Sequence, residues 1–347
     1  MEIRSIDHVE MYVADAEVAA ARLCGAYGFA AAGRGVRTQG TRSVLLRQRE
    51  IILLVTSATD PRHRVADYVR RHGDGVAVIG MDVENAEAAF AEAVESGAQA
   101  AAQPEELDGG VVFASVLGFG DVEHRFVSRQ NPGGPFAPGL IEETEVEAPG
   151  LLSKIDHVAV CLPAGQLYES VAFYQRVFHM EQTFAERIIV GSQAMDSKVV
   201  QSKSGEVTFT ILEPDITKPP GQIDDFVRWH GGAGVQHLAF LTDDIAGAVR
   251  LSQDGGVRFL DTPGAYYDAL PTRLGDVAVP VDALRELNVL VDRDHFGELF
   301  QIFTRSEHPR KTLFYELIDR RGAQTFGSNN IKALYEAVER GQHGGRD

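Results

Sequence analysis

The chain repeats itself, and that restricts its fold more than any other feature. Ile6-Asp7-His8-Val9 returns as Ile155-Asp156-His157-Val158, and Asp67-Tyr-Val-Arg-Arg-His-Gly73 returns as Asp225-Phe-Val-Arg-Trp-His-Gly231. Each second motif runs through a Gly-Val pair (Gly75-Val76, Gly234-Val235) into a strand-like run, a helical stretch and a glycine turn at Gly97 or Gly255. A self-similar chain of this kind stacks copies of one supersecondary unit. Each copy reads as strand, helix, then several strands. Asn131-Pro-Gly-Gly-Pro-Phe-Ala-Pro-Gly139, followed by the acidic Glu142–Glu147 stretch, reads as a linker. The expected division is residues 1–130, a linker at 131–150, residues 151–340 and a frayed tail at 341–347.

The mismatches between the copies carry the chemistry. His8 matches His157, but aligning the Gly-Val pairs sets Val78 opposite His237. In the second half His157, His237 and Glu316 each sit in a β-branched or aromatic run and are spaced by 80 and 79 residues. Two imidazoles and one carboxylate on neighbouring strands suit one face of an octahedral metal, with the remaining positions free for an organic chelator and O2. That is the donor set of a non-haem Fe(II) oxygenase. The first half, with an aliphatic side chain at the second position, reads as a scaffold, and His8 as a core or turn histidine.

Strand alternation groups Ile155, His157, Ala159 and Cys161 on one face, Val235, His237 and Ala239 on another, and Phe314, Glu316 and Ile318 on a third. Leu299–Phe303 and the Glu316 strand read as a hairpin, so Gln301 and Phe303 point to the same interior. A buried glutamine amide needs partners: substrate or a strand carbonyl. His72 and His230 close helices before glycines, the ordinary cationic C-terminal position. His308, before Pro309, reads as exposed. Asp261–Asp268 reads as a turn. The stretch from Phe326 to Glu339 reads as a helix with Ile331, Leu334, Tyr335 and Val338 on one apolar stripe, lying across the pocket.

The bulk composition narrows the partners. A net charge of −17 on 347 residues argues against nucleic acid or an anionic membrane. Two cysteines make no disulfide framework. With no apolar run of membrane-spanning length and no signal-like start, a cytoplasmic protein is expected. A homo-oligomer is compatible with this composition. A ferrous ion held by two neutral imidazoles and one carboxylate keeps a charge of about +1, enough to attract one carboxylate-bearing ligand into an acidic body.

Together, Ile155–Val158, Gly232-Ala-Gly-Val-Gln-His-Leu-Ala239, Leu299-Phe-Gln-Ile-Phe303, Leu313-Phe-Tyr-Glu-Leu-Ile318 and Phe326-Gly-Ser-Asn-Asn-Ile331 resemble the 4-hydroxyphenylpyruvate dioxygenase family, on the side of its 4-hydroxymandelate synthase branch. The resemblance implies an α+β vicinal oxygen chelate fold, with paired βαβββ units forming an open barrel in each of two domains. It implies Fe(II) on His157, His237 and Glu316 in the C-terminal domain. It places Ser197, Thr210, Gln222, Gln301, Phe303, Phe326 and Ile331 around the substrate, 4-hydroxyphenylpyruvate, which reacts with O2. Homogentisate-forming members carry Pro-x-Asn where this chain has Thr210-Ile211-Leu212, and Gly-Asn-Phe where it has Asn329-Asn330-Ile331. Both departures point to 4-hydroxymandelate and CO2 as products, by oxidative decarboxylation and benzylic hydroxylation. A homogentisate-forming enzyme, and a non-catalytic aromatic-binding protein of the same fold, are the alternatives.

Overall fold

The repeat in the sequence is a repeat in space. The computed structural model describes residues 1–36, 40–330 and 332–333. The first unit is β1 (Ile3–Tyr12), α1 (Ala16–Tyr27), β2 (Ala30–Gly35), β3 (Thr41–Gln48) and β4 (Ile51–Ala58). Helix α2 (Arg64–His72) leads to the second: β5 (Gly75–Val83), α3 (Ala86–Glu95), β6 (Ala100–Leu107), β7 (Val111–Leu117) and β8 (Glu123–Arg129). A short β9 (Ile141–Glu143) follows. The third unit is β10 (Leu152–Cys161), α4 (Leu167–Phe178), β11 (Glu181–Val190), β12 (Gln193–Gln201) and β13 (Thr208–Pro214). Helix α5 (Gln222–His230) leads to the fourth: β14 (Gly234–Thr242), α6 (Ile245–Asp254), α7 (Gly264–Asp268), α8 (Leu270–Leu274), α9 (Val281–Leu287), β15 (Leu290–Arg293), β16 (Glu298–Phe303) and β17 (Phe314–Arg321).

These four βαβββ units pair into two sheets whose strand orders correspond, apart from the added β9 in the first. The first runs β6-β7-β8-β5-β1-β4-β3-β2-β9, the second β11-β12-β13-β10-β14-β17-β16-β15. In each, the leading strand of a unit pairs in parallel with its last strand, and the two leading strands pair antiparallel at the centre. This is the α+β architecture of paired βαβββ units that the family resemblance implied. Two local expectations change. Just after its Pro/Gly stretch, the linker expected at 131–150 supplies β9, which pairs with β2 and extends the first sheet. The turn expected at Asp261–Asp268 contains α7, part of a run of three short helices that interrupts the fourth unit.

Three helices, α1, α3 and α6, start where short polar side chains cap them. Asp15 accepts from the amides of Glu17 and Val18, Asn85 from Ala88, and Asp244 from Gly247. Between the sheets lies a shared apolar layer, with Tyr27 against Tyr315 at 5.2 Å and Phe29 against Phe240 at 5.9 Å between ring centres. The ends of α2 and α5 meet across the pseudo-symmetry axis. There His72 stacks on His230 at 4.4 Å and donates from Nδ1 to the His230 carbonyl at 2.7 Å. The Arg310 guanidinium donates to the carbonyls of Arg70, Arg71 and Trp229, neutralising the helix ends from outside. His230 therefore does not act as the expected cation: burial first, then His72, hold it down to about 4. His308, expected to be exposed, is half-buried.

Candidate metal centre

His157 lies on β10, His237 on β14 and Glu316 on β17, three strands adjacent in the second sheet. All three are buried, at 3%, 7% and 1% exposure. Nε2 of His157 is 3.4 Å from Nε2 of His237, and Oε2 of Glu316 is 3.4 Å and 3.3 Å from those two nitrogens. The donors thus form a nearly equilateral triangle. Metal bonds of about 2.0–2.2 Å fit above such a face with small adjustments. Among the described residues this is the cluster of three His, Cys, Asp or Glu side chains whose donor atoms lie within 4.8 Å of one another.

The atoms not needed for a metal are already committed. His157 Nδ1–H donates to Asp156 Oδ1 at 2.8 Å, and His237 Nδ1–H to Gln236 Oε1 at 3.3 Å. Each bond fixes the tautomer that leaves Nε2 as a lone-pair donor. Gln301 Nε2 donates to Glu316 Oε1 at 2.8 Å, which leaves Oε2 for the triangle. Gln301 Oε1 in turn accepts from Asn330 Nδ2 at 2.8 Å, and Asn330 Oδ1 from the Tyr266 hydroxyl at 3.0 Å. The Gln301 amide therefore buttresses a carboxylate rather than a strand carbonyl. The donor set, its burial and its oriented supports fit a divalent cation.

Electrostatics point the same way. Burial opposes charge on His157, but the Glu316 carboxylate and Asp156 overcome it and raise the imidazole to about 9. Burial likewise opposes ionisation of Glu316, and the His157 and His237 rings overcome it and lower the carboxyl to about 2. His237 is shifted downward, by burial above all. A proton shared between His157 and Glu316 is what a metal ion would displace.

The strand faces differ from simple alternation, and the reason is local. In β10 the register slips between Ile155 and His157, and in β14 between Gln236's neighbours, where Ala159 faces His237 but Val160 faces Val235. These bulges flip the residues before them. Ile155 and Val235 join the apolar layer with Val158, Leu238 and Phe240, while Ala159 and Cys161 share the barrel interior with Leu212 and Phe303. The bulge also lets Asp156 reach its own neighbour's ring.

The triangle stands in the wall of a narrow pocket, with about 40 Å³ of free internal space, lined also by Phe184, Ile188, Ser197, Val199, Thr210, Leu212, Gln301, Phe303 and Phe326. Ser197, Thr210, Gln301, Phe303 and Phe326, all expected around the substrate, stand in this wall. Gln222 opens α5 and is not among the lining residues. Ile331 and the stripe residues Leu334, Tyr335 and Val338 lie outside the described residues. Sequence reasoning missed Phe184, Ile188 and Val199 in the wall, and Asp156 and Arg320 behind it. The alternation of β11 and β12 was the only signal for the first three.

A comparison with curated proteins aligns the chain with 4-hydroxyphenylpyruvate dioxygenase of Dictyostelium discoideum at 32% identity, over 98% of either chain. The chain belongs to the 4-hydroxyphenylpyruvate dioxygenase family. The enzyme of the same name from Xenopus tropicalis is 33% identical, over 97% of this chain and 91% of its own. Residues 1–135 match the profile "Hydroxyphenylpyruvate dioxygenase, HPPD, N-terminal", and residues 154–302 the Glyoxalase/Bleomycin resistance protein/Dioxygenase superfamily. Among solved structures, a triply substituted 4-hydroxymandelate synthase from Streptomyces coelicolor superposes with a TM-score of 0.91 at 46% identity, over 99% of this chain and 100% of that one. The vicinal oxygen chelate fold follows.

In this family member the first half keeps the frame of the triangle and its first histidine, His8, but replaces the other two positions. Val78 pairs with Glu10 where His237 pairs with Ala159, and Arg125 pairs with Gly80 where Glu316 pairs with Ala239. The Arg125 guanidinium lies 3.1 Å from His8 Nε2 and donates to Glu10 Oε2 at 3.2 Å. A built-in cation sits where the second half presents its donor triangle. His8 is the buried core histidine expected.

Proposed function

We propose that this protein is an Fe(II)-dependent dioxygenase that converts 4-hydroxyphenylpyruvate and O2 to 4-hydroxymandelate and CO2. The observation that carries the reading is the buried two-histidine, one-carboxylate triangle in the wall of a largely apolar pocket. His157, His237 and Glu316 would hold the metal. When bound, a ferrous ion supplies the chelation of the keto acid and the electrons for oxygen chemistry.

The remaining work falls to the chain. Asp156, Gln236 and Gln301 hold the three donors in one orientation, so binding demands little reorganisation. Phe326 sets its ring edge to face against His157 at 5.3 Å, and Phe314 stacks on His237 at 4.8 Å. These rings exclude water from the donors. Phe184, Ile188, Val199, Leu212 and Phe303 offer an apolar sleeve for a substrate ring. Ser197 and Thr210 are the polar points along it, suited to a phenol or carboxylate oxygen.

Product choice rests on where the pocket puts the benzylic carbon relative to the ring, since small displacements change rates by large factors. Thr210 and Leu212 both line the pocket, at the positions where homogentisate-forming members carry proline and asparagine. A branched hydroxyl residue and an aliphatic one there support the mandelate reading. So does the 46% identity to the mandelate synthase against 32% and 33% to the two dioxygenases. The test is one incubation with Fe(II), ascorbate, air and 4-hydroxyphenylpyruvate, followed by chromatography. 4-Hydroxymandelate is expected. Homogentisate as the main product would overturn the product assignment, and no oxygen uptake would overturn the enzyme assignment.

A further inference from the structure

Behind His157 runs a chain of polar contacts that the triangle alone does not require. Asp156, which accepts from His157, is gripped on its other side by Arg320: Nε to Oδ2 at 2.6 Å and Nη2 to Oδ1 at 2.8 Å. Arg320 lies four residues beyond Glu316 on β17, on the same strand face. Its remaining nitrogen, Nη1, donates to the Thr325 carbonyl at 2.7 Å and to that of Ala323 at 3.3 Å. Its guanidinium carbon stands 5.2 Å from the centre of the Phe326 ring, which itself packs on His157. One side chain thus touches the support of a metal donor and the backbone of the segment carrying Phe326.

The first half contains the same clamp. Asp7 accepts from His8 at 2.6 Å, Arg129 forks onto Asp7, and Arg129 Nη2 donates to the Phe136 carbonyl at 3.2 Å. The Arg129 guanidinium carbon lies 5.8 Å from the Phe136 ring, which packs edge to face on His8 at 4.9 Å. In that half the cation at histidine Nε2 is Arg125, a permanent part of the chain. In the second half the corresponding cation is exchangeable.

We infer that Arg320 is a positioning residue that couples occupancy of the metal site to docking of the Ala323–Asn330 segment against the pocket. The inference rests on the metal-site reading above. A metal ion would replace the mobile proton between His157 and Glu316 with a cation fixed in place, holding the His157 ring and its Nδ1–H bond to Asp156 in one orientation. A firmly held Asp156 fixes the Arg320 fork, and the fork presents Nη1 to Thr325. Coupling of this kind is reciprocal, so a docked segment raises metal affinity by the factor that metal raises docking. Asn330 on Gln301 gives the Glu316 side a parallel contact, which keeps the segment partly docked when Arg320 is altered.

The test uses the metal-free full chain and Co(II), a redox-stable probe, with Arg320→Met and Arg320→Lys. Affinity is read from the visible spectrum, and docking from amide hydrogen exchange of peptides covering residues 323–330. In the wild type Co(II) should slow that exchange. Arg320→Met should bind Co(II) about 10-fold or more weakly, within the range for supports of metal ligands, and its segment exchange should no longer respond to metal. Arg320→Lys keeps the ion pair but not the fork, serves where the Met variant does not fold, and should fall between the two. Arg129→Met, the counterpart in the first half, should leave Co(II) affinity within twofold of wild type. Tight Co(II) binding by the wild type with no change in segment exchange would overturn the coupling and leave the metal site standing. Unaltered affinity and protection in both Arg320 variants would also overturn it. No Co(II) binding by the wild type would remove both readings.

Discussion

Arg125 and Glu316 occupy corresponding positions in the two halves and carry opposite charge. Each is the partner, on the last strand of its sheet's second unit, of the residue two beyond Val78 or His237. Each faces the histidine of an Ile-Asp-His bulge. A duplicated frame has thus been completed once with a guanidinium and once with a carboxylate.

Removing the fixed cation should be costly. Arg125 pairs with Glu10, and their side chains are 12% and 8% exposed. Arg125→Met would leave Glu10 as an unpaired buried charge, expected to destabilise by about 3–5 kcal/mol. Urea unfolding of the full chain checks this, and a loss below about 1 kcal/mol would show the pair to be solvent-relaxed.

Glu316→Gln keeps the shape of the third donor and removes its charge. Bound iron per chain and oxygen uptake with 4-hydroxyphenylpyruvate should both fall by a factor of about 10–100 or more. Metal analysis after dialysis against a fixed Fe(II) concentration reads the first directly. Retention of full iron would show that the carboxylate is not a ligand.

The pocket wall should carry the product branch. Thr210→Pro combined with Leu212→Asn is expected to move product from 4-hydroxymandelate toward homogentisate, and Ile331→Phe to push in the same direction. Chromatographic ratios at low conversion decide it. An unchanged ratio with activity retained would mean that these positions do not steer the ring.

Acid should loosen the interface between the halves. His124, on β8, bonds Tyr174 of α4 through Nε2 at 2.7 Å and stacks on Phe209. Burial lowers it from 6.5 to about 3. Below 6.5 the unfolded chain binds the proton that folded His124 refuses, so stability falls with pH, by up to about 1.4 kcal/mol per unit for each such histidine. His230, His8, His237 and His308 shift the same way. His157 in the metal-free chain has the opposite sign: its contribution is complete below 6.5 and is lost as pH rises through about 9. Urea midpoints between pH 6.5 and 4.5 should therefore decline, and His124→Gln should flatten the slope by one histidine's share. An unaltered slope would exclude His124 as a source.

Several of these relations were legible before any coordinates. Val78 opposite His237, read from two Gly-Val pairs, is the register observed across β5 and β14. The hairpin of Gln301 and Phe303 with Glu316 is likewise the pairing of β16 with β17. The errors in assigning strand faces have one cause in common. Ile155 and Val235 were assigned to the wrong face because period-two counting assumes an unbroken strand, and a bulge adds one residue without leaving a mark in composition. Asp156 escaped notice for the same reason, since a neighbour in a regular strand points away. Nothing in the residue pattern marks Arg125 on β8 or Arg320 on β17.

Repeats, residue types and periodicity are properties of the chain in one dimension, and they determined the division into two like halves and which half carries His157, His237 and Glu316 in strand-like runs. Direction and distance between residues far apart in the chain are not encoded in any local pattern. Tertiary packing alone decided that three nitrogen and oxygen atoms would meet within 4.8 Å, that Arg125 would fill the other barrel, and that Arg320 would reach from Asp156 to Thr325, because each depends on how bulged strands from separate units are brought side by side.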